Sequence, residues 1–220
     1  DIAPPKLWRI DPTSGARTKI FDEETALESE LCPNYSTQPG RKVVQMTTGG
    51  WTMGPDGSFY FSNIGAPGTS VLRLRVAGVG GASATSCSYL TRVTDCPTCS
   101  TQDNVGAGFS SFQFDLSAFE IVDGSLYAVS DKRFIEIDLA TGNRKQLSFG
   151  NDTGALGTGP INAEALADRW TTWDAERQVF WTVGILGGSA AVVVDPTTGN
   201  RTAWPCWHPG LGILSRCGGP

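Results

Sequence analysis

The chain has 220 residues, 40% hydrophobic and only 18% charged, with 27 Gly and 13 Pro, a balance that fits one turn-rich all-β domain large enough for a real core. A net charge of −5 and a pI near 4.9, with no basic cluster larger than Arg41–Lys42 or Lys132–Arg133, argue against a nucleic-acid surface. No apolar run reaches the roughly 20 residues of a membrane span, and the opening DIAPPK lacks the basic and apolar regions of a signal peptide, so a secreted form has already lost its leader.

The first element, Lys6–Ile20 (KLWRIDPTSGARTKI), reads as a β-hairpin. An apolar-rich run ends in Asp11, Pro12 presets φ near −65°, and Gly15 can take the positive φ that closes the turn. No aromatic strand precedes it, so the chain begins inside a repeat unit, 1–21. Glu23–Pro39 departs from strand periodicity and reads as an insertion whose start, Glu23–Leu31, suits a short acidic helix before Cys32-Pro33.

A second unit, 42–101, opens with strands at Lys42–Thr48 and Trp51–Ser62 around a Pro-Asp-Gly turn. Its hairpin, Ser70–Gly78, is a degenerate copy with Arg75 at the Asp position, followed by a Gly/Ser/Cys stretch, Gly78–Thr101, read as a stapled loop. The third unit, 110–149, has strands at Ser110–Leu116 and Phe119–Ser130, then the hairpin Arg133–Ser148 (RFIEIDLATGNRKQLS). The fourth, 161–204, has strands at Ile161–Leu166 and within Trp170–Val183, then the hairpin Ala190–Trp204 (AAVVVDPTTGNRTAW). The Asp positions 11, 75, 138 and 195 stand 64, 63 and 57 residues apart. Each of the last three hairpins also follows an Asp-bearing turn and an aromatic strand. Four strands repeated at such a period are what a β-propeller blade requires. The expected fold is therefore an all-β, disulfide-stapled propeller of about four blades or a half-ring, with residues 205–220 as a terminal latch whose Gly212–Ser215 is the candidate closing strand.

The run IDLATGNRKQLS, then GTGP, then Trp173-Asp174, resembles the repeat of secreted NHL-like and gluconolactonase-like β-propellers, members of a six-bladed TolB-like superfamily. In that family a D-x-x-T-G-[DN]-R-T hairpin precedes a G-[ST]-G-P loop. The resemblance covers the three hairpins and the segment between the last two, and does not extend to Phe21–Val44. It implies fold more than function, because propellers host many activities. It also raises a metal-dependent hydrolase or lactonase, for which Asn63, Asn162, Glu164 and Asp168 have suitable types near inner strand ends.

Six Cys against one His read as disulfides in an oxidising compartment. Cys96-Pro97-Thr98-Cys99 has redox or zinc spacing, yet no helix follows to lower a thiol pKa and no second ligand pair completes a zinc site. Cys206 and Cys217 flank the last strand and suit one bridge. Cys87 suits a partner in the Cys96–Cys99 loop, which leaves Cys32 for the remainder. Sequons at Asn34, Asn151 and Asn200 lie in loops or turns and are glycosylation candidates in a eukaryotic source.

His208, the lone His, has no G-x-S-x-G elbow with it and sits between Trp207 and Pro209, which favours a packed turn over catalysis. The acidic pairs Glu23/Glu24 and Glu28/Glu30 read as solvated surface. No cofactor is expected beyond calcium at a turn near Asp56 or Asp123, where EF-hand spacing is absent. Most of the seven Trp suit packing between blades, with Trp204 and Trp207 as the candidate ligand-stacking pair. The expected function is an extracellular, non-enzymatic scaffold, assembly or recognition module with a protein partner or self-association. The alternatives are the propeller hydrolase and a glycan-binding lectin.

Overall fold

A computed structural model describes residues 6–22, 46–65, 68–77, 83–92, 105–108, 116–130, 133–149, 157–158, 170–183 and 191–204. Every regular element in them is a strand. The first sheet pairs β1 (Lys6–Ile10) with β2 (Arg17–Asp22). The second is β3 (Met46–Met53), β4 (Phe59–Gly65), β5 (Gly68–Val76) and β6 (Ala84–Arg92). The third is β7 (Leu116–Val122), β8 (Ser125–Ser130), β9 (Arg133–Asp138) and β10 (Arg144–Phe149). The fourth is β11 (Trp170–Asp174), β12 (Val179–Val183), β13 (Ala191–Val194) and β14 (Arg201–Trp204). Each is an antiparallel meander in chain order.

The three hairpins close by one chemistry. The side-chain Oδ1 of Asp11, Asp138 and Asp195 accepts from the backbone N–H two residues on, at 2.8, 3.0 and 2.8 Å. The carbonyl of the same Asp accepts from Gly15, Gly142 and Gly199, all at φ near +70° (69°, 73° and 72°). That replaces the ladder at the turn with a local network and fixes the register of the strands on either side.

Successive residues of a strand point to opposite faces, and here both faces of a sheet are covered. Ile135 and Ile137 of β9 pack against Tyr60, Val71 and Leu90 of the second sheet. Phe134, the residue just before them, points the other way and packs with Tyr127 and Leu147 against Phe180, Val192 and Val194 of the fourth. Phe180 is the hub of that second core, with ring centroids 4.5 Å from Tyr127, 5.0 Å from Phe134 and 4.7 Å from Trp173. A smaller core joins Phe21 of the first sheet to Phe61, Leu72, Leu74 and Cys87 of the second. Four sheets thus stack face to face in chain order, as a partial β-propeller.

Three expectations shift. Ala84–Arg92 is the fourth strand of its blade rather than part of a loop, because it pairs along β5 and its residues Cys87, Leu90 and Thr91 are buried. The inner strand of the third blade is Leu116–Val122, since the Asp123-Gly124 turn breaks the run expected to continue from Phe119 to Ser130. The inner strand of the fourth is Trp170–Asp174. The expected helix Glu23–Leu31, the strand Ile161–Leu166 and the latch 205–220 lie outside the described residues.

Two measurements check this packing. Phe180→Ala should lower stability by about 3–5 kcal/mol, read as a fall in the urea midpoint. The second concerns acid. Arg177 and backbone N–H groups hold the Asp174 carboxyl down to about 2, and hydrogen bonds from Thr141 and its backbone hold Asp138 below its ordinary value. A carboxyl depressed in the folded state stabilises above its unfolded value of about 3.9 and loses that contribution as pH falls through the folded value. Stability should therefore drop between about pH 4 and pH 2, and Asp174→Asn should flatten that slope.

Candidate functional site

Adjacent sheets are held by a lock that occurs twice. Gly142 of the third sheet's hairpin lies so close to β6 that a Cβ there would stand 1.9 Å from the Leu90 carbonyl oxygen, and Gly199 meets the Leu147 carbonyl of β10 at the same distance. The next residue, Asn143 or Asn200, accepts through Oδ1 from the backbone N–H of Ala107 (2.7 Å) or Thr158 (2.9 Å) in the segment that links the two sheets. The backbone N–H of the residue after that, Arg144 or Arg201, donates 2.8 Å to the carbonyl of the same linker residue. Both guanidiniums are buried: Arg144 donates to Thr91 Oγ1 (2.5 Å) and the Val105 carbonyl (2.7 Å), and Arg201 to Ser148 Oγ. Burial lowers each guanidinium's pKa from its ordinary value, and the hydroxyl and carbonyl oxygens it meets in the seam offset part of that cost.

The lock leaves one place open. Among the described residues β1 pairs with β2 on one side only, and the first sheet has two strands where the others have four. In the second sheet Trp51 and Met53 of β3 stand opposite Phe61 and Phe59 of β4, which puts them on the face that carries the first sheet. The hairpin covers Phe61 but not β3: Trp51 is 66% and Met53 60% exposed. The corresponding face of the third sheet's inner strand, the one toward the preceding sheet, packs against β3. An apolar step beside a strand edge that no described residue pairs is therefore the feature of this chain that asks for an occupant.

The residues expected from sequence are distributed differently. Cys87 is disulfide-bonded and 7% exposed in the smallest core, with its partner outside the described residues. Cys32, Cys96, Cys99, Cys206, Cys217, Asn34, Asn151, Trp207, His208, Asn162, Glu164 and Asp168 also lie outside them. Trp204 ends β14 and Asn63 lies on β4, opposite Met46 and Ser70. Asn200 is exposed, but its side-chain oxygen is engaged by Thr158, the same structural duty that Asn143 performs without a sequon. Asp56 makes a poor calcium ligand, because its two oxygens accept from Ser58 and from the Arg73 guanidinium, whose charge already neutralises it.

Among the described residues no group of three or more His, Cys, Asp or Glu could hold a metal ion. Glu120, on the inner strand β7, has its pKa raised by burial alone, without a second acid, base or nucleophile named beside it. Trp51 and Met53 escaped the sequence reading because their exposure depends on what the neighbouring blade lacks. The signal was present in the short first unit.

No family model matches the chain, and no curated protein matches it. Solved structures similar to it include a puromycin hydrolase (18% identity, TM-score 0.44, covering 74% of this chain and 22% of that one). Another is the PQQ-bound aldose sugar dehydrogenase of Streptomyces coelicolor (10%, TM-score 0.38, 90% and 75%). A third is a Lactobacillus plantarum protein (10%, TM-score 0.39, 90% and 61%). The chain spans about a fifth of the hydrolase's length. At these scores the likenesses say nothing of activity.

The lock makes a paired prediction. Gly199→Ala must strain a positive φ and displace the Leu147 carbonyl, so it should cost more than about 2 kcal/mol. Gly124, at φ +83 with nothing within 4 Å of its Cβ position, should cost only about 1 kcal/mol as Ala. Equal costs in urea unfolding would remove the steric reading of Gly199.

Proposed function

We propose that this chain is a non-enzymatic recognition module that binds an extended segment of a partner protein by strand addition to β1. The observation that carries the reading is the edge of β1, open among the described residues, beside the exposed Trp51 and Met53. An added strand satisfies its backbone groups on β1 while alternate side chains, directed to the second sheet, cover the two exposed residues, so main-chain pairing gives affinity and the apolar step gives selection. The preferred segment is uncharged on one face, with apolar residues at every second position. The disulfide at Cys87 supports an oxidising, extracellular setting, and the net charge of −5 supports a protein rather than a nucleic-acid partner.

The test uses a peptide that has the right form by construction, Leu116–Ser130, because in the third blade that sequence supplies the two strands missing from the first. Labelled with a fluorophore at its N-terminus, it reports binding by its anisotropy in the chain and in variants alike. The expected result is saturable binding with a dissociation constant in the micromolar range, weakened about tenfold or more in a Trp51→Ser, Met53→Ser double variant. Both side chains are exposed, so the variant should fold. No binding at about 1 mM peptide, or binding equal in the double variant, would sink the strand-addition reading.

A further inference from the structure

Two hydroxyls of the fourth sheet are buried without a hydrogen bond. Thr171 on β11 and Thr182 on β12 are register partners, and among the described residues neither side-chain oxygen has a partner. They share a face. Trp173 and Phe180, each two residues away on the same strand, both pack into the core against the third sheet, so strand alternation turns Thr171 and Thr182 the same way. On its other side in the sheet Thr182 stands opposite Val192, which is 5% exposed. Of the two side chains that flank Thr182 across this face, only Thr171 therefore carries a polar atom.

The blade design does not call for a hydroxyl at this position. Phe59, Leu126 and Phe180 each pair with the residue just before the hairpin's Asp position, which is Leu74, Ile137 or Val194. Two residues further along the same strands stand Phe61, Ala128 and Thr182, all buried. The core position that is apolar in two sheets is thus polar in the fourth, where Val would keep nearly the same shape and suit a strand as well. A buried hydroxyl left unpaired lowers a domain's folding constant about tenfold, and here two of them face one space.

We propose that Thr171 and Thr182 bind one internal water molecule, which bridges their hydroxyls on the face of the fourth sheet that packs against the third. Directly opposed residues of an antiparallel pair have Cβ atoms about 4.5–5.5 Å apart, a gap that a water at about 2.8 Å from each oxygen spans. Each hydroxyl offers one proton and two lone pairs, so the pair supplies the two polar contacts that a buried water requires. The water satisfies both threonines at once, and the loss of either hydroxyl strands the other. The site lies in the fourth sheet and does not depend on the strand-addition reading.

Oxygen-17 magnetic relaxation dispersion counts the long-lived internal waters of the disulfide-intact chain. The expected result is one water fewer in the Thr171→Val, Thr182→Val double variant than in the parent. Urea unfolding gives a second reading of the same variants. Each single variant should lower the folding constant about tenfold, because it leaves the other hydroxyl bare. The double variant should recover most of that loss, because both polar partners have then been replaced by apolar groups of the same shape. An unchanged water count, as when the two hydroxyls bond each other directly, overturns the proposal. So do single variants at least as stable as the parent, the behaviour of hydroxyls that were bare from the start, and so do additive losses, the behaviour of two separate waters.

Discussion

The arrangement depends on placing a buried guanidinium in the seam between two sheets. Arg144 and Arg201 reach across from a hairpin turn to hydroxyl and carbonyl oxygens of the preceding sheet and its linker. Such a charge is tolerated only where several oxygens converge, and convergence requires the turn to sit almost in contact with the neighbour's backbone. That is why the residue two before each Arg is Gly. Closeness, the Asn that holds the linker and the buried cation are therefore a single requirement, and a sheet that meets it is set in both distance and register against its neighbour.

The apolar cores follow from this constraint. With the seam fixed, the two faces of the third sheet must both be filled, which explains why β9 reads FIEI, with Phe134 serving one interface and Ile135 and Ile137 the other. The degenerate hairpin lacks the Gly-Asn-Arg run in its sequence. Arg75 replaces the turn Asp in the second sheet, and that sheet joins the first through the smallest of the three cores, around Phe21 and Cys87. Cys87 adds a covalent tie in the same region.

How much of this the sequence disclosed depended on range. The hairpins were legible because Asp, Gly and the intervening Thr or Ser act within five residues, and each turn closes in the structure as its local chemistry requires. β6 was not, because Ala84–Arg92 is rich in Ser and Thr and declares itself a strand only through contacts with other sheets. The duty of Arg144 and Arg201 was equally hidden, since their acceptors Thr91 and Ser148 lie 53 residues away. For the open step the missing information was an absence: Trp51 looks like any core aromatic until the strand that should lie over it fails to arrive.

The stacking order has a bearing on how the chain comes apart. Each sheet touches only its sequence neighbours, so the molecule behaves as a short one-dimensional array in which stability is a sum of units and seams. The third sheet, clasped on both faces and by both arginine seams, is the most strongly retained unit. The two-stranded first sheet, attached through one small core, is the least. Among the described sheets, local opening is then easiest at the first hairpin and hardest at the third sheet.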